Sequence, residues 1–165
     1  MKKKISLKDL DILFFDFDGV LTDNKVYLDQ NGSEIVSCSR SDGMAFVLLN
    51  KIKKKTYIIS SETNKVVAAR AKKLKIPVLY GVKNKSQVIK KLSKEKKFNL
   101  KRTLYTGNDL NDFEAMKLCG YSACPSDSHK EIKKIATFVL DAKGGSGVVR
   151  ELLEKIFKID LLEYL

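Results

Sequence analysis

Phe14-Phe15-Asp16-Phe17-Asp18-Gly19-Val20-Leu21-Thr22-Asp23 decides the fold of this 165-residue chain. Its lead-in, Ile12-Leu13-Phe14-Phe15, holds no polar residue, the pattern of a strand buried on both faces of a parallel sheet. Two carboxylates then stand two positions apart where the apolar run ends. Residues i and i+2 of a strand point the same way, so Asp16 and Asp18 face together unless the chain bends at Gly19. Two like charges held that close are costly unless a cation neutralises them. A hard, oxygen-loving ion such as Mg²⁺ would do so, as would a phosphate-bound metal.

Immediately downstream, Val26-Tyr27-Leu28 and Ile35-Val36-Ser37-Cys38 are β-prone, and Asn31-Gly32 between them is a hairpin turn signal. Together they predict a two-stranded flap over about residues 24–39. An isolated hairpin is marginal in water, so the flap is expected to pack against something, a partner subunit being one candidate. Met44-Ala45-Phe46-Val47-Leu48-Leu49 predicts a short helix from Gly43. Thr56-Tyr57-Ile58-Ile59 predicts a buried strand, followed by a helix from Val66 to Leu74. Pro77-Val78-Leu79-Tyr80 predicts the next strand, and residues 85–98 a helix with Val88, Ile89 and Leu92 at helical spacing. Thr103-Leu104-Tyr105-Thr106-Gly107 predicts another strand, leading into Asn108-Asp109-Leu110-Asn111-Asp112 and a helix with Ala115, Met116 and Leu118. Residues 121–124, 129–135, 138–140 and 148–157 continue the alternation.

Strand then helix, repeated, predicts an α/β fold of three layers, a Rossmann-like parallel sheet with helices on both faces. No internal repeat, low-complexity tract or linker interrupts it, so a single domain over residues 1–165 is expected. In such sheets ligands bind beyond the carboxyl ends of the strands, near the point where strand order reverses. Asp16, Asp18, Ser60, Lys85, Asp109 and Asp112 all fall at or just after such ends, which predicts one site.

The chain is 44% hydrophobic and 32% charged, as globular proteins are, and carries a formal charge of +12. Such a charge would suit nucleic acid or an anionic membrane. Its dense runs, Lys2 to Lys4, Lys53 to Lys55 and Lys94 to Lys97, are nevertheless dispersed and lack interleaved aromatic residues for base stacking. A basic surface that favours an anionic small substrate is expected, with neither nucleic acid nor membrane as partner. The N-terminal lysines mimic the start of a signal peptide. However, Asp9, Asp11, Asp16 and Asp18 break any apolar core, and no stretch reaches the ~18 apolar residues of a membrane span. Cys38, Cys119 and Cys124 form no C-x-x-C pair, which predicts neither a disulfide framework nor a zinc site and suits a reducing cytoplasm. His129, the one histidine, is expected at the surface or capping a helix.

The Asp16-Phe17-Asp18-Gly19 stretch with its apolar lead-in resembles the first motif of the haloacid dehalogenase-like (HAD) phosphatases. The resemblance implies that Asp16 attacks phosphorus to form an aspartyl phosphate. Asp18 would protonate the leaving oxygen and then deprotonate the hydrolytic water. It further implies Mg²⁺ held by the Asp16 side chain, the Asp18 backbone carbonyl and an acid of the fourth motif. Ser60 matches the second motif, a hydroxyl for a phosphoryl oxygen. Lys85 matches the third, whose charge offsets the crowded anions. Gly107-Asn108-Asp109-Leu110-Asn111-Asp112 resembles the fourth, with Asn108 where many members carry aspartate. The metal acid is then expected to be Asp109, with Asn108 offering an amide oxygen and Asp112 supporting from behind; which of the three meets Mg²⁺ stays open.

The length, the lack of a large cap insertion, the flap, Ser41-Asp42-Gly43 and Gly144-Gly145-Ser146-Gly147-Val148-Val149-Arg150-Glu151 resemble the capless HAD branch. That branch includes 3-deoxy-octulosonate 8-phosphate phosphatases, nonulosonate 9-phosphate phosphatases and the C-terminal module of some CMP-sialic acid synthetases. It implies a homotetramer joined through the flaps, each neighbour closing a site in place of a cap. Octulosonate 8-phosphate phosphatases usually follow the second-motif hydroxyl with Gly-Arg. Here Ser61-Glu62 follows, with Arg70 and Lys73 on one helix face. Glu62, Arg70 and Lys73 resemble nonulosonate 9-phosphate phosphatases and are expected to read the polyol, amide and carboxylate of a nine-carbon sugar acid. The expected activity is therefore Mg²⁺-dependent hydrolysis of a nonulosonate 9-phosphate, with octulosonate 8-phosphate second. A non-catalytic oligomerisation module and a receiver-type phosphoacceptor are the rivals, although receivers carry their aspartate on the third strand rather than the first.

Overall fold

The apolar run Ile12–Phe15 forms strand β1, and all four of its side chains are buried. They alternate between two separate cores: Leu13 and Phe15 join one, Ile12 and Phe14 the other. A strand buried on both faces must lie inside its sheet, and β1 pairs in parallel with β4 (Thr56–Ile59) on one side and β6 (Thr103–Thr106) on the other. Beyond these lie β5 (Val78–Leu79), β7 (Tyr121–Cys124) and β8 (Phe138–Val139), giving six parallel strands in the order β5-β4-β1-β6-β7-β8. The structure, a computed structural model, describes residues 5–164. The basic run at residues 2–4 lies outside them.

Helices α1 (Arg40–Lys51), α2 (Val66–Leu74) and α6 (Val148–Glu151) cover the Leu13 and Phe15 face. Helices α3 (Lys85–Lys96), α4 (Phe113–Leu118) and α5 (Lys130–Ile135) cover the other. The three-layer α/β architecture expected from the alternation is thus present. Strand order reverses at β1, so its carboxyl end, with those of β4 and β6, marks the ligand crevice of such sheets.

Most elements match their predicted extents to within about two residues at either end, and three depart further. Helix α1 begins at Arg40, ahead of the apolar pattern, because Ser39 is extended and its hydroxyl accepts from the Ser41 N–H, capping a polar first turn. The last helix is regular only to Glu151 and continues as a wider π turn over Leu152–Ile156. The flap strands are just β2 (Tyr27–Leu28) and β3 (Glu34–Ile35). Their connection is longer than an Asn-Gly turn: Asp29 Oδ1 accepts from the N–H groups of Asn31 and Ser33, and Gly32 takes the left-handed position. Val26, Tyr27, Leu28 and Ile35 are all exposed.

The Ser41-Asp42-Gly43 and Gly144–Glu151 stretches meet in space. Asp42 on α1 is buried, and its Oδ1 accepts from the N–H groups of Val149 and Arg150, tying α1 to the start of α6. His129 caps α5. All three cysteines are free, and burial pushes the thiols of Cys119 and Cys124 up to about 12 and about 11. No helix among the described residues is long and apolar enough to cross a membrane.

Helices α2 and α3 end on lysines, Lys75 and Lys97, in left-handed backbone (φ 57° and 53°). That conformation costs a residue with a Cβ and is natural for glycine at this place. Lys75→Gly and Lys97→Gly are each expected to raise the unfolding free energy by about 0.5–1 kcal/mol. A denaturant titration reads this as a higher midpoint at constant slope; an unchanged midpoint would contradict it.

Candidate active site

Beyond Phe15 the chain turns sharply: the N–H groups of Val20, Leu21 and Thr22 all reach the Phe17 carbonyl. Gly19 has φ +76°, and a Cβ there would collide with the Asn108 amide. Glycine is thus required both for the turn and for the close approach of the β6 loop. The Asp16 N–H donates to the Thr106 carbonyl, fixing the two strand ends together.

The result is an open cavity of about 430 Å³ at the carboxyl ends of β1, β4 and β6. Asp16, Asp18, Ser60, Glu62, Asn108 and Asp109 line it, joined by Asn24, Ser61, Leu110 and Asn111. Lys85 lies beneath, 2% exposed, its Nζ 2.8 Å from Asp16 Oδ1 and 2.7 Å from Asp112 Oδ1. Burial on its own would push this ammonium down, but the two carboxylates hold it above its ordinary value, so it stays charged. Burial and the charge of Asp112 push Asp16 up, against the pull of Lys85. Asp16 Oδ1 also accepts from the Phe17 N–H at 2.7 Å.

Asp18 is half-buried, and Thr22 Oγ1 donates to its Oδ1 at 3.2 Å. Desolvation raises Asp18, with Glu62 and Glu34 adding to the effect against the Thr22 hydrogen bond. A carboxyl raised by its surroundings is shifted in the direction that a general acid requires. Thr22 did not stand out in the sequence, although its i+4 spacing from Asp18 inside a tight turn was a usable signal. The buried Ser60 follows β4, and its hydroxyl accepts from the Glu62 N–H.

The fourth-motif residues divide their roles. Asp112 is fully buried and away from the cavity. Its Oδ1 accepts from Lys85 Nζ and the Tyr105 hydroxyl, each at 2.7 Å, and its Oδ2 from the Asn108 N–H at 2.8 Å. Asp109 is exposed, and its Oδ1 accepts from the Leu110 N–H in capping the following turn. Asn108 is 7% exposed, packs its amide against Gly19 and lines the cavity together with Asp16 and Asp18. Among the described residues no group of three or more His, Cys, Asp or Glu is arranged to hold a metal. Two aspartates with an amide oxygen and main-chain carbonyls form a hard oxygen set, which fits an ion such as Mg²⁺ that keeps several waters.

Of the three residues expected to read the substrate, only Glu62 lines this cavity. Its Oε1 accepts from the Thr63 and Asn64 N–H groups, and Asn64 in turn donates to Glu34 of the flap. Arg70 and Lys73 line a separate groove of about 660 Å³ between α1 and α2, with Arg40 and Lys75 and, among the described residues, no acid. Arg70 Nη2 donates there to the Ser39 carbonyl at 2.9 Å.

Residues 49–152 match the model of the haloacid dehalogenase-like hydrolase family. The chain belongs to that family. The match begins after the first motif, but longer similarities include it. The 3-deoxy-D-manno-octulosonate 8-phosphate phosphatase of Haemophilus influenzae is 28% identical over 92% of this chain and 85% of its own length. The Escherichia coli K12 enzyme of the same name is 30% identical over 89% of this chain and 79% of its own. Among solved structures, a HAD family hydrolase from Streptomyces avermitilis superposes with a TM-score of 0.93 at 37% identity, covering 98% of this chain and 92% of that one. The Moraxella catarrhalis octulosonate 8-phosphate phosphatase, solved with magnesium, phosphate and the sugar acid, gives 0.87 at 26% identity over 92% and 88%. This HAD hydrolase is an enzyme, a phosphoric monoester hydrolase, as expected over its non-catalytic and receiver rivals.

Proposed function

We propose that this HAD phosphatase hydrolyses the phosphate monoester of a 3-deoxy-2-ulosonic sugar acid through an aspartyl phosphate on Asp16. The observation that carries the chemistry is the locked state of Asp16 Oδ1, held by Lys85 and the Phe17 N–H on the cavity wall. With that oxygen engaged, Oδ2 is left to attack phosphorus in line with the leaving alkoxide. Lys85 offsets the negative charge that gathers at the transferring group, and the Ser60 hydroxyl donates to a phosphoryl oxygen. Asp18, raised by burial, gives its proton to the leaving oxygen and then takes one from the hydrolytic water. Mg²⁺, when bound, would supply charge neutralisation of the phosphoryl oxygens. Asp16, the Asp18 carbonyl and the Asn108 amide oxygen would hold it. Asp109, exposed and committed to its turn, suits a supporting place better than the metal.

Nine-carbon acids are the preferred substrates in this proposal. Glu62 supports that preference: at the rim of the cavity stands a carboxylate, which accepts from hydroxyl or amide N–H groups and repels a second carboxylate. The eight-carbon acid is the second reading, supported by the names of the curated relatives. Among the described residues no cation lines the cavity to meet the sugar acid's own carboxylate. Arg70 and Lys73 would therefore serve the cavity of a neighbouring copy in a homotetramer, with the exposed apolar flap as the joint. The free thiols suit a reducing cytoplasm.

Phosphate release from octulosonate 8-phosphate, deaminoneuraminate 9-phosphate and N-acetylneuraminate 9-phosphate tests this, each with Mg²⁺ and with EDTA. A nine-carbon substrate is expected to show the higher kcat/KM by about tenfold, the worth of one good polar contact. EDTA should abolish release. A higher kcat/KM for the eight-carbon substrate would reverse the preference, and release from none of the three would reject the substrate class.

A further inference from the structure

Tyr105 occupies an apolar place for which phenylalanine would be the ordinary choice. It sits mid-strand in β6, fully buried, in the same core as Ile12, Phe14, Ile89 and Met116. Its hydroxyl donates to Asp112 Oδ1 at 2.7 Å, the oxygen that also accepts from Lys85 Nζ. Lys85 in turn reaches Asp16 Oδ1 at 2.8 Å. A continuous chain of short polar contacts therefore runs from the core to the attacking residue, through groups at most 4% exposed.

We propose that Tyr105 is a positioning residue for phosphoryl transfer: by holding Asp112 it fixes the Lys85 ammonium on Asp16 Oδ1 and keeps Oδ2 aimed at phosphorus. The proposal rests on Asp16 being the nucleophile. A lysine ammonium is a compact charge on a flexible stem with three rotatable donors, so its place is set by its acceptors rather than by its own shape. Here the acceptors are two carboxylates. One of them, Asp16, changes charge distribution during the reaction, so the other must be the fixed point. Asp112 is fixed by three hydrogen bonds of 2.8 Å or less, from Tyr105, Lys85 and the Asn108 N–H, and the Tyr105 hydroxyl is the one supplied by a side chain outside the four motifs. Burial and the neighbouring acids hold the phenol well above its ordinary range, so it remains a donor at every working pH. A loosened Asp112 would let Lys85 and Asp16 shift together, and small displacements of a reacting atom are costly in rate.

Tyr105→Phe keeps the ring and removes the donor. At saturating Mg²⁺ its kcat is expected to fall about tenfold, as for one hydrogen bond to a charged group, with KM within about twofold of the parent. Asp112→Asn, a second and independent variant, is expected to lose at least as much kcat with the same small change in KM. Adding Tyr105→Phe to Asp112→Asn should then cost nothing more, because the hydroxyl acts through that carboxylate. Unchanged kcat in folded Tyr105→Phe, even with a lower melting temperature, would make the hydroxyl structural and overturn the proposal. So would wild-type kcat in Asp112→Asn, or losses that add in the double variant. Asp16→Asn run in parallel separates the two levels: activity retained there rejects the nucleophile itself, whereas activity lost there with Tyr105→Phe unaffected rejects only the role of Tyr105.

Discussion

Lys85→Met is expected to reduce phosphate release by about a thousandfold or more and to destabilise the fold by about 3–5 kcal/mol. Lys85 is 2% exposed and sits between two carboxylates that are themselves buried. Methionine fills most of the space, so the loss is not a cavity effect. Removing the ammonium leaves Asp16 and Asp112 facing one another without a counter-charge in a desolvated place. The fold would relieve the strain by protonating one of them. A protonated Asp16 is no nucleophile, so the stability and activity defects share a cause. Lys85→Arg is not expected to rescue either, because a planar five-donor fork does not fit where a compact ammonium bridges two oxygens. Equilibrium unfolding and kcat measured on one preparation check this. A variant with near-parental stability would mean that the two carboxylates do not depend on Lys85.

Asp16→Asn is expected to separate the two properties. Phosphate release should fall by at least about a thousandfold, since an amide oxygen does not form the acyl phosphate. Stability should stay level or rise when measured without divalent metal. Burial and Asp112 raise Asp16 in the folded protein above its unfolded value, despite Lys85. A raised carboxyl contributes stability that is complete below the unfolded value near 3.8 and is lost as pH rises through the folded value. At neutral pH the ionised group therefore works against the fold, and the amide removes that burden. Mg²⁺ should raise the melting temperature of the parent and not of the variant. A marked loss of stability in metal-free Asp16→Asn would show that its ion pair with Lys85 outweighs desolvation.

Much of this was legible in the chain because parallel strands buried on both faces write themselves as uninterrupted apolar runs. Ile12–Phe15 is such a run, Thr56–Ile59 and Thr103–Thr106 come close to it with only threonines interrupting, and the polar residues that follow all three converge. Periodicity was less informative where polar side chains set the backbone. Ser39 starts α1 three residues before Gly43, and the Asp29 carboxylate widens the flap turn beyond Asn31-Gly32. Spacing put Arg70 and Lys73 on one helix face but not which cavity that face meets; the answer depends on how α2 packs against α1. Likewise, Asn108, Asp109 and Asp112 fall within one five-residue stretch, yet one tight turn sends one against Gly19, one to solvent and one into the core. Tyr105 gave no signal at all, because an aromatic residue in a strand is ordinary core until its hydroxyl is seen to have a buried carboxylate as partner.

The most direct test is to quench the enzyme in acid during turnover with Mg²⁺ and a sugar acid phosphate, digest it, and map phosphoryl groups by mass spectrometry. One added phosphoryl group on the peptide containing Asp16, absent from Asp16→Asn and absent with EDTA, is the predicted result. Turnover at full rate with no phosphoryl group on that peptide, or with Asp16→Asn still active, would mean that water attacks the substrate directly and would contradict Asp16 as the nucleophile.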